Sequence, residues 1–393
     1  MSRVQATDPN ERLHLLDVIR GFALFGVLTI NIYDFSGFDY ALTETKQHLP
    51  TYPLDIWAER TVKFFFEGKF YAIFSVLFGI GFSIQIERLR EKSSNWRKVF
   101  YRRLLILLIF GIIHLQFLWV GDILVLYAIL GFFLPLFVNA SDREVFLWGV
   151  GLLLSPVLID AILIWNDFHP WDNLEAIGFA IDHKNGIPND DFTWRTYPFD
   201  PDHGFKEFWK WVQPAPIYRL HGLLMDNRFP RVLGLFLIGL FLGRNKFLHT
   251  VLENVGLFRK AAIYGLFAGL PRNLIYYISG DELLKSITYS VGVPMLAIAY
   301  MAILSLMYQK SLKLLRPLAS VGRMALTNYL AQTIICLFLF YNIGLGLGGE
   351  IGATYIFLIG VLIYTFQIVC SNLWLKRHPD GPLESIWRKL TYL

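Results

Sequence analysis

The stretch Arg102-Arg103-Leu-Leu-Ile-Leu-Leu-Ile-Phe-Gly-Ile-Ile-His114, running on through Leu115-Gln-Phe-Leu-Trp-Val to Gly121-Asp122, decides how this chain is read. Ten apolar or small residues separate two arginines from a histidine. At about 1.5 Å per residue, Arg103 and His114 lie about 16 Å apart on nearly one helical stripe. That distance is about half the hydrocarbon thickness of a bilayer. The rest of the chain has the same character. Of 393 residues, 55% are apolar and 17% charged, and the mean hydropathy is +0.46. Such a composition excludes a water-soluble globule. Aromatic residues spread without a short repeat exclude disorder, collagen and coiled coil. A net charge of +5, scattered along the chain, gives no sign of nucleic-acid binding. Cys336 and Cys370 sit in apolar runs with no metal-ligand spacing and no disulfide framework, so no metal is expected.

Working outward, apolar stretches occur near 15–35, 64–86, 104–120, 122–140, 145–165, 231–243, 260–279, 284–308, 325–342 and 353–375. They predict an all-α polytopic membrane bundle of about ten transmembrane helices. The chain divides into an amino-terminal membrane half of five helices (1–165), a polar segment (166–229) and a carboxy-terminal membrane half with its tail (230–393). Asp17 and Arg20 at the start of the first run, with no small-residue cleavage pattern after it, make that run a retained helix. Basic residues alternate between linkers. Residues 87–103 carry Arg88, Arg90, Lys92, Arg97, Lys98, Arg102 and Arg103, whereas 34–56 carries Lys46 alone. Both termini are therefore expected in the cytoplasm and 166–229 outside. That outer segment interleaves acids such as Asp182, Asp190, Asp191 and Asp200 with Trp171, Trp194, Trp209 and Trp211. Carboxylates beside flat aromatics could hold a polyol or sugar, though an acidic loop with tryptophans at the membrane interface is the simpler account of them.

Ionisable residues inside a bilayer cost about 2.5–3.5 kcal/mol each, so each is a site candidate. Asp17 and Arg20 stand three apart, and Asn31 follows Arg20 by close to three helical turns. They read either as a helix-end clasp or as part of a site. Arg102 and Arg103 can meet a phosphate, or serve as positive-inside anchors. His114 can act as general base or transient acyl acceptor, with Asp122 orienting the imidazole, or be a core histidine. Weaker candidates are His48 in the 34–56 linker, Glu67-Gly68-Lys69, Arg272 after Pro271, and His221 with Arg219 and Asp226. His48 and His221 suit solvated loops. Gly344-Leu-Gly346-Leu-Gly-Gly349 follows a membrane helix rather than a strand and is no nucleotide signal. Gly239 and Gly243 suit close helix packing.

The string Leu16-Asp17-Val-Ile-Arg20-Gly21-Phe-Ala-Leu-Phe-Gly26-Val-Leu-Thr-Ile-Asn31 resembles the opening of the YeiB-like membrane proteins, also called domain of unknown function 418. Further blocks agree: Glu67 to Phe70 with Phe74 to Gly79, Gly111 to His114 with Gly121-Asp122, Gly322 to Tyr329, and the tail Gly381 to Glu384, Trp387-Arg388 and Leu390 to Tyr392. That family is in turn similar to a wider group of transmembrane acyltransferases, which includes the lysosomal heparan-glucosamine N-acetyltransferase and the acyltransferase type-three family.

The resemblance implies a bundle in the bacterial plasma membrane. Such a bundle takes an acyl group, commonly acetyl, from cytoplasmic acyl-CoA and delivers it to an extracytoplasmic acceptor such as a glycan or polyol. It implies Arg20, Arg102 and Arg103 as carrier-binding residues, and His114, Asp122, Asn31 and His48 as candidates for the chemistry. Arg103 and His114 fit the type-three arginine and histidine spacing. Where that family has a histidine on helix 1 this chain has Asn31, as the lysosomal enzyme does, and His48 is the single histidine in the linker that follows. A homodimer is compatible with the bundle. The rival reading is a transporter for a small polar or lipid-linked molecule, against which no repeat between the halves stands out.

Overall fold

The computed structural model describes residues 14–92, 95–188, 196–248 and 254–392. Asp190, Asp191 and Trp194 lie outside them. Among the described residues the regular structure is helical. The amino-terminal half comprises α1 (His14–Phe35), the single-turn α2 (Thr43–Gln47), α3 (Tyr52–Phe66), α4 (Lys69–Lys92), α5 (Trp96–Phe117), α6 (Leu124–Gly131) and α7 (Asp142–Trp165). The middle segment carries α8 (Asp172–Lys184), α9 (Phe205–Val212) and α10 (Ala215–Met225). Then follow α11 (Arg228–Arg244), α12 (Val255–Ile278), α13 (Glu282–Lys310), α14 (Leu312–Arg323), α15 (Ala325–Phe340), α16 (Ala353–Leu375) and α17 (Pro382–Thr391).

Six helical stretches are long and apolar enough to cross a bilayer: His14–Phe35, Tyr52–Glu91, Trp96–Phe117, Asp142–Trp165, Glu282–Lys310 and Ala353–Leu375. They mark an integral membrane protein. The pair 313–323 and 325–340, bent by 79°, adds a seventh if taken as one span. The other three stretches expected to cross are helical but fall short by themselves. α11 has 17 residues, the apolar run 124–137 is short, and α12 carries Pro271-Arg272-Asn273 within it.

Burial sorts the helices. Of the apolar window of α1, 67% is buried inside the protein, against 17% of that of α7. Hence α1 is central, and α7 presents Leu158, Ile162 and Trp165 outward. The helix α1 packs along α14, and α4 packs along α11. Both contacts bring backbones together. A Cβ on Gly322 would overlap the Asp17 carbonyl, and one on Gly239 would overlap the Val76 carbonyl. Gly243 likewise faces Ser83, as its spacing from Gly239 suggested. The break between α3 and α4 falls on Gly68 at φ +81°, a conformation that favours glycine.

Buried polar side chains serve mainly to tie helices. Asn328 and Gln332 of α15 bond Ser371 and Gln367 of α16, at 3.0 and 2.9 Å. Buried Asp55 accepts from the Thr354 N–H at the start of α16, satisfying an end donor that the helix leaves open.

Candidate functional site

Between these helices lies a cavity of about 970 Å³. Its wall takes residues from the whole of α1, from Asp17 through Arg20, Val27 and Asn31 to Asp34. Seventeen residues of helix rise about 25 Å, so the cavity runs through most of the apolar thickness of the protein. On the facing side it runs from Gly68, at the break before α4, along α4 through Tyr71 and Phe78 to Arg88.

The end near Asp17 is basic. Arg20, Arg88, Arg103, Arg323 and Arg388 line it, with Asp17, Asp380 and Glu384. The five arginines come from α1, α4, α5, α14 and α17, so the site exists only when distant parts of the chain meet. Arg20 pairs with Asp17 at 3.0 Å, and Arg388 pairs with Asp380. Arg323 donates to the Pro379 carbonyl. Arg103 instead stacks its guanidinium 4.0 Å from the ring centre of Trp387, whose indole N–H donates to the Arg103 carbonyl at 2.9 Å. Among the described residues no carboxylate pairs with Arg103. Its fork of donors remains free for a phosphate or carboxylate.

One layer behind the cavity wall is a buried carboxylate and imidazole. Asp122 Oδ2 lies 2.7 Å from His114 Nδ1, and His114 Nε2 lies 2.9 Å from Thr333 Oγ1. Both residues are essentially inaccessible, at 1% and 0% exposure. An ionised carboxylate can only accept, so the proton belongs on Nδ1, and Nε2 takes the Thr333 hydroxyl proton when the ring is neutral. Asp122 is fixed from its other oxygen by the Val125 N–H at 2.8 Å, at the start of α6. His114 is not itself on the cavity wall. Trp119 and Tyr329, whose rings pack against it, are.

The far end is mixed in charge and mostly satisfied internally. Asp39 pairs with Lys63 at 3.2 Å, Asp226 with Arg228 at 2.9 Å, and Glu67 accepts from Tyr277 at 2.8 Å. Arg219, from α10, also lines this region.

A family model described as "Protein of unknown function (DUF418)" matches residues 242–393. The chain is 32% identical to "Uncharacterized protein YxaH" of Bacillus subtilis, an alignment covering all of this chain and 97% of that protein. The chain belongs to the YeiB-like, DUF418 family. A protein encoded in the amylase 3′ region of Bacillus acidopullulyticus is 31% identical over 98% of the chain and 94% of its own length, and YeiB of Escherichia coli is 27% identical over 97% and 96%. No solved structure matches the chain.

The quoted blocks of this YeiB-like protein converge on the cavity. Arg20 and Asn31 from the opening, Gly121 before Asp122, Arg323, and Glu384, Trp387 and Arg388 from the tail all line it. The expected site residues separate into groups. Arg20, Arg103 and Asn31 are on the wall, His114 and Asp122 stand one layer behind it, and Arg102 and His48 are not on it. His48 is exposed at the end of α2. Asn31 makes no hydrogen bond to the His114 and Asp122 pair. Of the weaker group, Glu67 reaches the cavity, whereas Arg272 is exposed and donates to the Ala268 carbonyl of its own helix. His221 is off the wall, yet its companions Arg219 and Asp226 are on it. No described acid or tryptophan between 166 and 214 lines the cavity. Asp182 is buried beneath the Tyr218 hydroxyl, and Trp209 stacks on Phe117. Arg88, Arg323 and Arg388 looked like ordinary loop and tail charges in the sequence. The signal that could have found the last two was their place inside family blocks.

Proposed function

We propose that this protein is a transmembrane acyltransferase that takes an acyl group, of the acetyl class, from cytoplasmic acyl-CoA and passes it to an acceptor at the outer face. The observation that carries this reading is the cavity itself: a lumen with an arginine-rich end and, one layer behind its wall, a histidine oriented by a buried aspartate. Ten crossings with both termini cytoplasmic put the arginine end, which shares a side with the basic linker 87–103, inside the cell. Arg103 and Arg20 then meet the carrier's phosphates, with Arg88, Arg323 and Arg388 around them. The thioester lies along the apolar middle between Phe74, Leu77 and Phe78. Asp122 holds the tautomer of His114 that leaves Nε2 available as base or acyl acceptor. To reach it, the reacting group displaces the Thr333 hydroxyl and moves Trp119 or Tyr329 aside. The plasma membrane is the location this reading assigns, with no metal required.

The test is incubation of membranes carrying the protein with acyl-labelled acyl-CoA, with free CoA and transferred label measured against membranes lacking it. Protein-dependent CoA release supports the reading, and its absence with all candidate acceptors sinks it. A cavity that follows α1 from Asp17 to Asp34 also suits passage of a solute. In that case labelled carrier stays intact while a polar solute crosses vesicles made with the protein.

A further inference from the structure

Arg219 and Tyr329 face the cavity with donors that nothing accepts. Arg219 makes no hydrogen bond and no ion pair with any described residue, and its Nε is buried without a partner. Tyr329 is 6% exposed, and its buried hydroxyl has no acceptor for its proton. Both lie within the electrostatic reach of Asp122. That carboxylate is not available to them. One oxygen is taken by His114 and the other by the Val125 N–H, and Asp122 is behind the wall rather than on it. The acids that share the far end of the lumen are committed as well, Asp226 to Arg228 and Glu67 to Tyr277. The Arg219 Nε–H and the Tyr329 O–H are thus left as unmatched donors on a stretch of wall whose carboxylates are already engaged elsewhere. Water can fill the geometry of an unpaired N–H, but a guanidinium whose Nε is buried without an acceptor gains from an anion brought into contact with it.

We infer that Arg219 and Tyr329 form a binding site for an oxyanion group, a carboxylate or phosphate of the ligand, inside the cavity at the level of the 118–123 loop. The guanidinium supplies charge and a fork of donors, and the phenol adds a hydrogen bond from α15. The inference goes beyond acyl transfer, since the same subsite selects an anionic acceptor for a transferase or an anionic solute for a transporter. It also gives Arg219 a role other than distant counter-ion to Asp122.

The experiment uses the full chain in nanodiscs of zwitterionic lipid. Arginine modification by phenylglyoxal is followed at Arg219 by peptide mass spectrometry, with inorganic phosphate, acetate or chloride at equal ionic strength. Expected is saturable protection of Arg219 by phosphate or acetate and not by chloride, with the midpoint moved about three- to tenfold by Tyr329→Phe. Phosphate protection alone assigns a phosphate ligand, and acetate protection alone a carboxylate. Repeating the measurement in nanodiscs with anionic phospholipid distinguishes a lipid head group, which protects without added salt, from a soluble anion. If Arg219 resists the reagent, the thermal midpoint decides: the oxyanion-induced rise seen in the parent must fall at least tenfold in apparent affinity in Arg219→Gln and be partly kept in Arg219→Lys. Equal protection by chloride, or an unchanged oxyanion response in Arg219→Gln, overturns the inference. None of these readouts depends on acyl transfer, so its failure and the failure of the transferase reading are separable.

Discussion

The two ends of the cavity solve opposite electrostatic problems. Near Asp17, five arginines face three acids, and Arg103 is held by an aromatic ring rather than by a carboxylate. Near Asp34, the acids Asp34, Asp39, Glu67 and Asp226 outnumber Arg219 and Arg228 on the wall, and several are tied to partners beside them. A lumen that merely filled with water would need no such polarity. An asymmetric one draws an anion toward its basic end and leaves Arg219 as a local anion site among the acids of the other. Position along α1 thereby sets the surroundings of its side chains, with Arg20 and Asn31 about three turns apart on the same wall.

The largest expected effect lies between the two ends. His114→Ala should lower acyl transfer by about 10²–10⁴-fold, the cost of losing a general base, while His48→Ala leaves it unchanged. Rates in membranes, with each variant first shown to be inserted and folded, check this. Loss of activity in His48→Ala with retention in His114→Ala would move the chemistry to the outer linker and break the comparison. Next comes the basic end. Arg103→Gln should weaken apparent acyl-CoA affinity by about 10- to 100-fold, the scale of a charged hydrogen bond, with little change in the rate at saturating carrier. A fall in kcat with unchanged KM would show that Arg103 acts on the chemistry and not on the carrier.

Much of this arrangement was legible in the chain, for reasons of periodicity. Ten apolar stretches all became helical, and the eleven-residue spacing of Arg103 and His114 set both toward the interior of the bundle, one at the wall and one just behind it. The Asp122 contact was legible too, because a turn eight residues on can bring a carboxylate back to a histidine. What was not legible required tertiary contact. Thr333 at Nε2 is 219 residues from His114, and Trp387 reaches Arg103 across 284. No local pattern encodes either. The acidic segment contributes less to the lumen than its composition suggested: Asp182 and Trp211 are used in packing, and among the described residues those that reach the lumen are Arg219 and Asp226 at its end.

The comparison also rests on a scaffold, which gives a smaller, stability-level prediction. At the α1 and α14 crossing, Gly322→Ala forces a Cβ onto the Asp17 carbonyl and should lower unfolding free energy by about 1–3 kcal/mol. Gly151→Ala, where a Cβ meets nothing within 4 Å, is the control. Thermal midpoints in the same detergent measure both, and equal midpoints would mean that the crossing relaxes without cost. Because Asp17 and Arg20 are on this helix, the Gly322 variant should also disturb the basic end before the far end.

The smallest expected effect concerns α17, which closes part of the basic end. Glu384 accepts from the Thr327 N–H at 3.0 Å and lies 2.6 Å from Thr327 Oγ1, itself an acceptor for the Leu383 N–H at 3.1 Å. Burial pushes the Glu384 carboxyl above its usual range, outweighing the hydrogen bonds from Thr327 that act the other way. A carboxyl whose pKa is raised in the docked state binds its proton more tightly there. Docking of α17 is therefore strongest below the ordinary glutamate pKa of about 4.3 and weakens as pH rises through the raised value. Thr391, fully buried on α17, reports this. In a Cys370→Ser background, labelling of Thr391→Cys, normalised to Leu390→Cys, should increase about two- to threefold between pH 5 and 8, a change on the scale of one hydrogen bond. Glu384→Gln has no proton to lose and should flatten the profile. A pH dependence that persists in Glu384→Gln would assign the titration to another group at that end and leave the helix as a fixed wall.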